Sequence, residues 1–182
     1  DRGKPRGVHF FCGNTGVGKT HLAHILGQTV FGDGAVRRFD MSEYAEPHKV
    51  STLLGAPAGF VGYEAGGSLT NFVRDTPFSV IIFDEIEKAH PNIFKIFLQI
   101  LDDSRLTSSA GETVFFDETV IVFTSNLGLQ DVSPEDNYET IQKKVLAGVE
   151  TYFTRQSGAP ELFGRLANDI VVFDVLRPEH VN

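Results

Sequence analysis

The sequence predicts an α/β fold, a three-layer sandwich around a mostly parallel five-stranded sheet. Short apolar runs alternate with stretches of helical periodicity, as strands and their crossover helices do. One run, Ser79 to Phe83 (SVIIF), is apolar without alternation, which suits a strand covered by helices on both faces. A glycine-rich turn joins the first apolar run to the first helical stretch.

Gly7 to Cys12 (GVHFFC) is the first strand, and Lys19 to Phe31 the first helix, with Leu22, Ile25, Leu26, Thr29 and Val30 at helical spacing as its expected apolar stripe. Val36 to Met41 is a second strand. A short helix follows Pro47 and runs through Leu54, then comes a glycine-rich loop from Gly55 to Gly67 and a helix near Ser68 to Arg74. The strand Ser79 to Phe83 ends on Asp84 and Glu85. His90 to Asp103 is amphipathic through Ile93, Phe94, Phe97, Leu98, Ile100 and Leu101, and a hairpin spans Arg105 to Phe116, turning near Ala110 and Gly111. Thr119 to Thr124 (TVIVFT) is a further strand of the sheet. Polar Ser133 to Asp136 starts a helix whose stripe is Tyr138, Ile141, Val145, Val149 and Tyr152. A loop with Gly158 and Pro160 leads to the last strand, Ile170 to Phe173.

With 182 residues, 41% of them apolar and 22% charged, the chain is long enough to bury a core and short enough to be one domain. Sixteen Lys and Arg against twenty-four Asp and Glu leave a net charge of -8, the wrong sign for a surface that neutralises many phosphates of a nucleic acid or anionic membrane. Cys12 is the single cysteine, so no disulfide forms within the chain and no thiolate cage exists; this usage suits a reducing cytosol, and the expected location is cytoplasmic. No apolar run approaches the roughly 20 residues of a membrane helix. Asp1 to Pro5 is polar, unlike a basic-then-apolar signal sequence.

Gly13-Asn14-Thr15-Gly16-Val17-Gly18-Lys19-Thr20 matches G-x-x-x-x-G-K-[ST] in full, between a predicted strand and a predicted helix. Glycines let backbone N–H groups close around phosphate oxygens, and the helix N-terminus adds its positive end. Lys19 neutralises the outer phosphates and the Thr20 hydroxyl reaches Mg²⁺. The alternative is a tight strand-to-helix turn with an exposed lysine, which the full motif in that context outweighs. Asp84, at the end of a buried strand, is the complementary Mg²⁺ ligand, and Glu85 orients and polarises the attacking water. Read alone, the two carboxylates would equally serve an acidic first turn before a helix. His21 and His24 lie three apart on the first helix with no third ligand placed beside them, so they read as helix-surface histidines. Cys12 reads as a small buried side chain, and no nucleophile, base and orienter set stands out among Ser and Thr.

Val80 to His90 (VIIFDEIEKAH) and Thr124 to Gly128 (TSNLG) closely resemble the Clp family of AAA+ protein-remodelling ATPases, specifically the second AAA+ module of ClpB-like disaggregases and ClpA-like unfoldases. The resemblance runs from about Arg6 to Val175 and includes Met41 to Tyr44 (MSEY), Gly59 to Glu64 (GFVGYE) and Leu98 to Asp103 (LQILDD). It implies a P-loop NTPase sandwich, the AAA+ large subdomain, that binds and hydrolyses ATP with Mg²⁺. Asn126 matches the sensor asparagine that contacts the γ-phosphate or the attacking water; its alternative is a turn former before Gly128. Arg165, in Pro160 to Arg165 (PELFGR), looks like the arginine finger that reaches the ATP of a neighbouring subunit. The Leu166 to Asp169 stretch behind it is longer than the usual family stretch. Phe60-Val61-Gly62 matches the aromatic-Val-Gly pore loop, with Phe for the commoner Tyr; the alternative is a Phe60 packed in the core. Five glycines between Gly55 and Gly67 give that loop freedom to swing.

The resemblance therefore implies one module of a ring, a hexamer in the family, that threads unfolded or aggregated protein through its pore. The competing readings are a P-loop motor or loader acting on nucleic acid and a nucleotide-gated assembly scaffold. Acidic balance weighs against the first, and Glu85, Asn126 and Arg165 together weigh against the second. The chain is expected to be the large nucleotide-binding subdomain, residues 1–182, of a longer protein, without the helical lid that would begin near Arg177 to Asn182. As such a piece it is expected to bind adenine nucleotide weakly and turn it over slowly. No Ile-Gly-Phe or Ile-Gly-Leu docking loop occurs from Leu129 to Arg155, which favours a remodeller that works without a protease.

Overall fold

The computed structural model describes residues 3–175; the expected start of the lid at Arg177 lies outside the described residues. Five strands form one sheet in the order β2 (Val36–Asp40), β3 (Val80–Asp84), β6 (Val120–Ser125), β1 (Gly7–Cys12), β7 (Ile170–Val172). Every pairing in it is parallel. The expected hairpin is present as β4 (Arg105–Thr107) paired antiparallel with β5 (Thr113–Phe115). The helices are α1 (Lys19–Phe31), α2 (Pro47–Val50), α3 (Ser68–Asp75), α4 (Ile93–Asp103), α5 (Tyr138–Thr151) and α6 (Pro160–Leu166).

The two sheet faces differ because successive residues of a strand point opposite ways. One face carries Phe10, Ile81, Phe83, Ile121 and Phe123, which join Phe94, Phe97 and Phe153 in the main core. Phe83 lies within 6 Å of Phe39, Phe97 and Phe123, ring centroid to centroid. Aromatic pairs of this kind add about 0.5–1.5 kcal/mol each beyond their buried area. They brace the strands whose ends carry Asp84 and Asn126. The other face carries Phe11, Val80, Ile82 and Val122 against Ala23 of α1.

α1 corrects the expected stripe. Leu22, Ile25 and Val30 are exposed, and the helix buries Lys19, Ala23 and Gly27 instead. The reason is proximity: a Cβ on Gly27 would stand 2.3 Å from Val36 Cγ2 and 3.0 Å from Val80 Cγ2. The backbone of α1 thus lies directly on the sheet, and only small side chains fit between.

α5 also begins later than expected. Ser133 to Asp136 forms a turn, in which Ser133 N–H donates to Asp136 Oδ2 at 2.8 Å. Asn137 is the cap, its Oδ1 accepting from Thr140 N–H at 2.9 Å. Ile141, Val145 and Val149 face the core, and the helix widens into a π turn over Tyr152–Gln156. Other boundaries move by a few residues: β2 ends at Asp40 with Met41 opening a 3₁₀ turn, and α4 starts at Ile93 rather than His90.

α5 presses on the loop after β6 through two glycines. A Cβ on Gly148 would lie 2.3 Å from Gly128 Cα, and Gly128 has φ +75°. Gly148→Ala is therefore expected to lower stability by about 1–3 kcal/mol through overpacking, although Ala exceeds Gly by ~1 kcal/mol in an unhindered helix. Urea unfolding checks this; an unchanged midpoint would mean that the two backbones do not touch.

Candidate nucleotide site

The site lies at the carboxyl ends of the strands, where ligands of open parallel sheets bind. β1 ends at buried Cys12, whose thiol is pushed up to about 12 by burial, with Glu87's charge adding and Lys19 opposing. The phosphate-loop segment then turns through Gly16 (φ +85°) and Gly18 (φ +96°), a left-handed backbone that glycine adopts without steric cost. Gly18 is the residue from which α1 starts. Gly13 is held at the strand end, its N–H donating to Ser125 O at 3.2 Å. Thr15, Gly16, Gly18, Lys19 and Thr20 line a cleft of about 380 Å³ with Arg38, Asp84, Glu85, Thr124 and Asn126. Gly13, Asn14 and Val17 shape the turn without lining that cleft. A larger concavity, about 620 Å³, lies by the β4–β5 hairpin, lined by Asp102, Asp103 and Glu118, and has no phosphate loop.

Lys19 is only 7% exposed, and its ammonium donates to Gly13 O at 2.5 Å, Asn14 O at 2.8 Å and Asn126 Oδ1 at 3.0 Å. Burial lowers its pKa below the ordinary lysine value, against the opposing charges of Glu87, Asp84 and Glu85. All three ammonium donors are thus held at the mouth of the loop by neutral acceptors. A phosphate oxygen is the better partner for each.

Asp84 belongs to the α1 face of β3, two residues beyond Ile82, and its register explains its neighbours. Thr124 stands two beyond Val122 on β6, Arg38 two beyond Val36 on β2, and Thr20 in the first turn of α1. Asp84 Oδ1 accepts from Thr20 Oγ1 at 2.8 Å and from the Thr124 hydroxyl. Its Oδ2 accepts from Arg38 Nε at 2.7 Å, and the same guanidinium reaches Asp40 at 3.1 Å. Burial by itself would raise the Asp84 pKa; the bonds from Thr124, Thr20 and Arg38, with the Arg38 charge, hold it below the usual carboxylate value.

Glu85 leaves the strand with φ +59°, uncommon for a residue with a side chain. Its N–H donates to Thr124 Oγ1 at 3.0 Å, which holds the turn. The reversal sends the Glu85 side chain away from Asp84, so adjacent carboxylates occupy different parts of the cleft. Glu85 Oε1 accepts from Asn126 Nδ2 at 3.1 Å and Oε2 from Lys88 Nζ at 2.6 Å. The Asn126 amide therefore bridges Lys19 and Glu85.

Thr20 Oγ1 and Asp84 Oδ1, both hard oxygen donors, lie side by side at the loop's phosphate end, which fits Mg²⁺ and its preference for one or two protein oxygens plus phosphate. Among the described residues no group of three His, Cys, Asp or Glu side chains is placed to hold a metal alone.

Two predicted elements sit elsewhere. Arg165, at the end of α6, is paired with Asp102 of α4 and does not line the cleft. Phe60 is 68% exposed in the loop after α2, beside exposed Val61 and Gly62 (φ +91°); it does not pack into the core. Arg38 and Thr124 line the cleft and Glu87 lies behind it, and the sequence pattern alone does not single out any of the three. Period-two alternation beyond Val36 and Val122, once the strand register is known, is the signal that finds the first two.

The chain matches the family model described as AAA domain (Cdc48 subfamily) over residues 4–169. It is 49% identical over 181 residues to chaperone protein ClpB 1 of Nostoc sp. (strain PCC 7120), covering 97% of this chain and 20% of that protein. It is 48% identical over 190 residues to the chloroplastic chaperone protein ClpB3 of Arabidopsis thaliana, covering 100% of this chain and 19% of that protein. To the ATP-dependent Clp protease ATP-binding subunit ClpC of Staphylococcus aureus (strain USA300) it is 46% identical over 193 residues, covering 100% and 23%. The chain spans about a fifth of the length of these curated relatives. The matched residues run from ahead of β1 to the end of the turn after α6, taking in the whole cleft, and this chain belongs to the AAA domain family of the Cdc48 subfamily.

Proposed function

We propose that this chain is the ATP-binding and ATP-hydrolysing module of a ring-forming chaperone that unfolds or disaggregates proteins by drawing polypeptide through a central pore. The observation that carries the reading is the contiguous set Lys19, Asn126 and Glu85, placed beside Thr20 and Asp84 at the strand ends. Loop N–H groups and Lys19 would bind the β- and γ-phosphates. Thr20 and Asp84 would hold Mg²⁺, which would supply positive charge to offset the negative charge that develops on the phosphates. Glu85 would orient the attacking water and accept its proton, and Asn126 would hold that water or a γ-phosphate oxygen. Arg165 lies outside its own cleft, which supports a role in trans at a neighbour's ATP. On this reading the chain is the large subdomain of a longer protein that assembles as a homo-oligomeric ring, a hexamer by family likeness, and works in the cytoplasm.

Exposed Phe60 and Val61, on a loop framed by Gly59 (φ +87°) and Gly62, support the pore-loop role. An aromatic ring presented to solvent on a loop able to swing grips extended chain without reading its sequence. The test is phosphate release by the native protein with and without an unfolded polypeptide. Stimulation is expected in wild type and is expected to vanish in Phe60→Ala while basal turnover stays within about 3-fold, as when only substrate-side binding is removed. Equal stimulation of both proteins would remove Phe60 from the grip.

A further inference from the structure

The end of β6 presents two successive donors to one carboxylate. Ser125 Oγ donates to Glu87 Oε2 at 2.8 Å and the Asn126 backbone N–H donates to Glu87 Oε1 at 2.9 Å. Ser125 Oγ also accepts from Leu127 N–H at 3.0 Å, so one side chain orders three consecutive residues. Glu87 itself is fixed, since it sits in the 3₁₀ turn Ile86–Lys88 and its carbonyl accepts from Tyr152 OH at 3.3 Å. Its carboxylate does not line the cleft. What it holds is the backbone of the residue whose amide joins Lys19 to Glu85.

We propose that Glu87 is a positioning residue that fixes the backbone of Asn126, and so keeps the Asn126 amide between Lys19 and Glu85. It acts through reach rather than charge. Gln has the same length: its Oε1 accepts from Asn126 N–H and its amide donates to Ser125 Oγ. Asp keeps the charge but is one methylene short of both donors. A charge role, in which Glu87 serves as the strongest of the anions favouring the Lys19 ammonium, ranks the two substitutions the other way.

The proposal rests on the hydrolysis reading for its effect on rate, so the test uses two readouts on the native protein. The first, taken without nucleotide, is hydrogen exchange at the Asn126 amide; the second is phosphate release alongside affinity for a non-hydrolysable ATP analogue. Glu87→Asp and Glu87→Ala are expected to speed that exchange and to lower kcat by about 10–100-fold, the cost of misplacing a group by a fraction of an ångström to an ångström. Analogue affinity is expected to stay within about 3-fold, the mark of a loss confined to the chemical step. Glu87→Gln is expected to resemble wild type in both readouts. In an Asn126→Ala background Glu87→Ala is expected to add little, because residues of one network do not contribute independently. If the Ala variant does not fold, the Asp and Gln pair decides. Activity kept by Asp and lost by Gln, an additive loss in the Asn126→Ala background, or unchanged exchange at Asn126 would each overturn the proposal. Should wild type release no phosphate while exchange follows the expected ranking, the hydrolysis reading fails and the positioning of Asn126 stands.

Discussion

Glu85→Gln is expected to lower phosphate release by about 100-fold or more, the scale of a lost general base, while leaving ATP bound. The argument is geometric. Gln preserves the shape of a side chain held between Asn126 and Lys88, and the left-handed turn at Glu85 depends on the backbone bond to Thr124, which the substitution does not touch. What is removed is the capacity to accept a proton from water. A lowered kcat with affinity within about 3-fold of wild type identifies an interaction made only in the transition state. Phosphate release and analogue titration measure the two quantities separately. Equal losses in both would move Glu85 from the chemistry to nucleotide binding.

Lys19→Ala is expected to weaken nucleotide binding by about 2–3 kcal/mol, the worth of charge-assisted hydrogen bonds lost from a buried site, or roughly 30- to 150-fold in Kd. Two effects act in the same direction. The direct one is loss of the only ammonium that lines the cleft among the described residues. The indirect one is that Gly13 O, Asn14 O and Asn126 Oδ1 lose a common donor, which loosens the loop and frees the Asn126 amide. Titration with a fluorescent ATP analogue checks the sum. Binding within about 3-fold of wild type would place the phosphates away from Lys19, because a displaced charge of this kind is not energetically silent.

Much of this architecture was legible because it depends on local pattern. β3 and β6 are buried on both faces, and their unbroken apolar runs announce them. The phosphate loop is contiguous, and Asp84 and Glu85 follow directly from a buried strand. The rest depends on distances that sequence does not carry. α1 reads as a Leu22, Ile25 and Val30 stripe until the closeness of Gly27 to Val36 and Val80 shows that the small residues face the sheet. Arg38 and Thr124 meet Asp84 only through strand register, since β2, β3 and β6 are adjacent in space and far apart in the chain. Glu87 was visible within the VIIFDEIEKAH block, yet its partners at the end of β6 lie 38 and 39 positions away. Asn137 displaces Ser133 as the helix start because its side-chain Oδ1 accepts from Thr140 N–H, a choice between polar residues that propensity alone does not make.

The most direct test of the account is steady-state phosphate release from ATP by the native protein, measured with Mg²⁺ and again after chelation. Turnover that needs Mg²⁺, and that is lost in Glu85→Gln without loss of bound nucleotide, is the predicted result. Tight ATP binding with no turnover in wild type would contradict it, and would make the cleft a nucleotide-gated switch for assembly rather than a hydrolytic site.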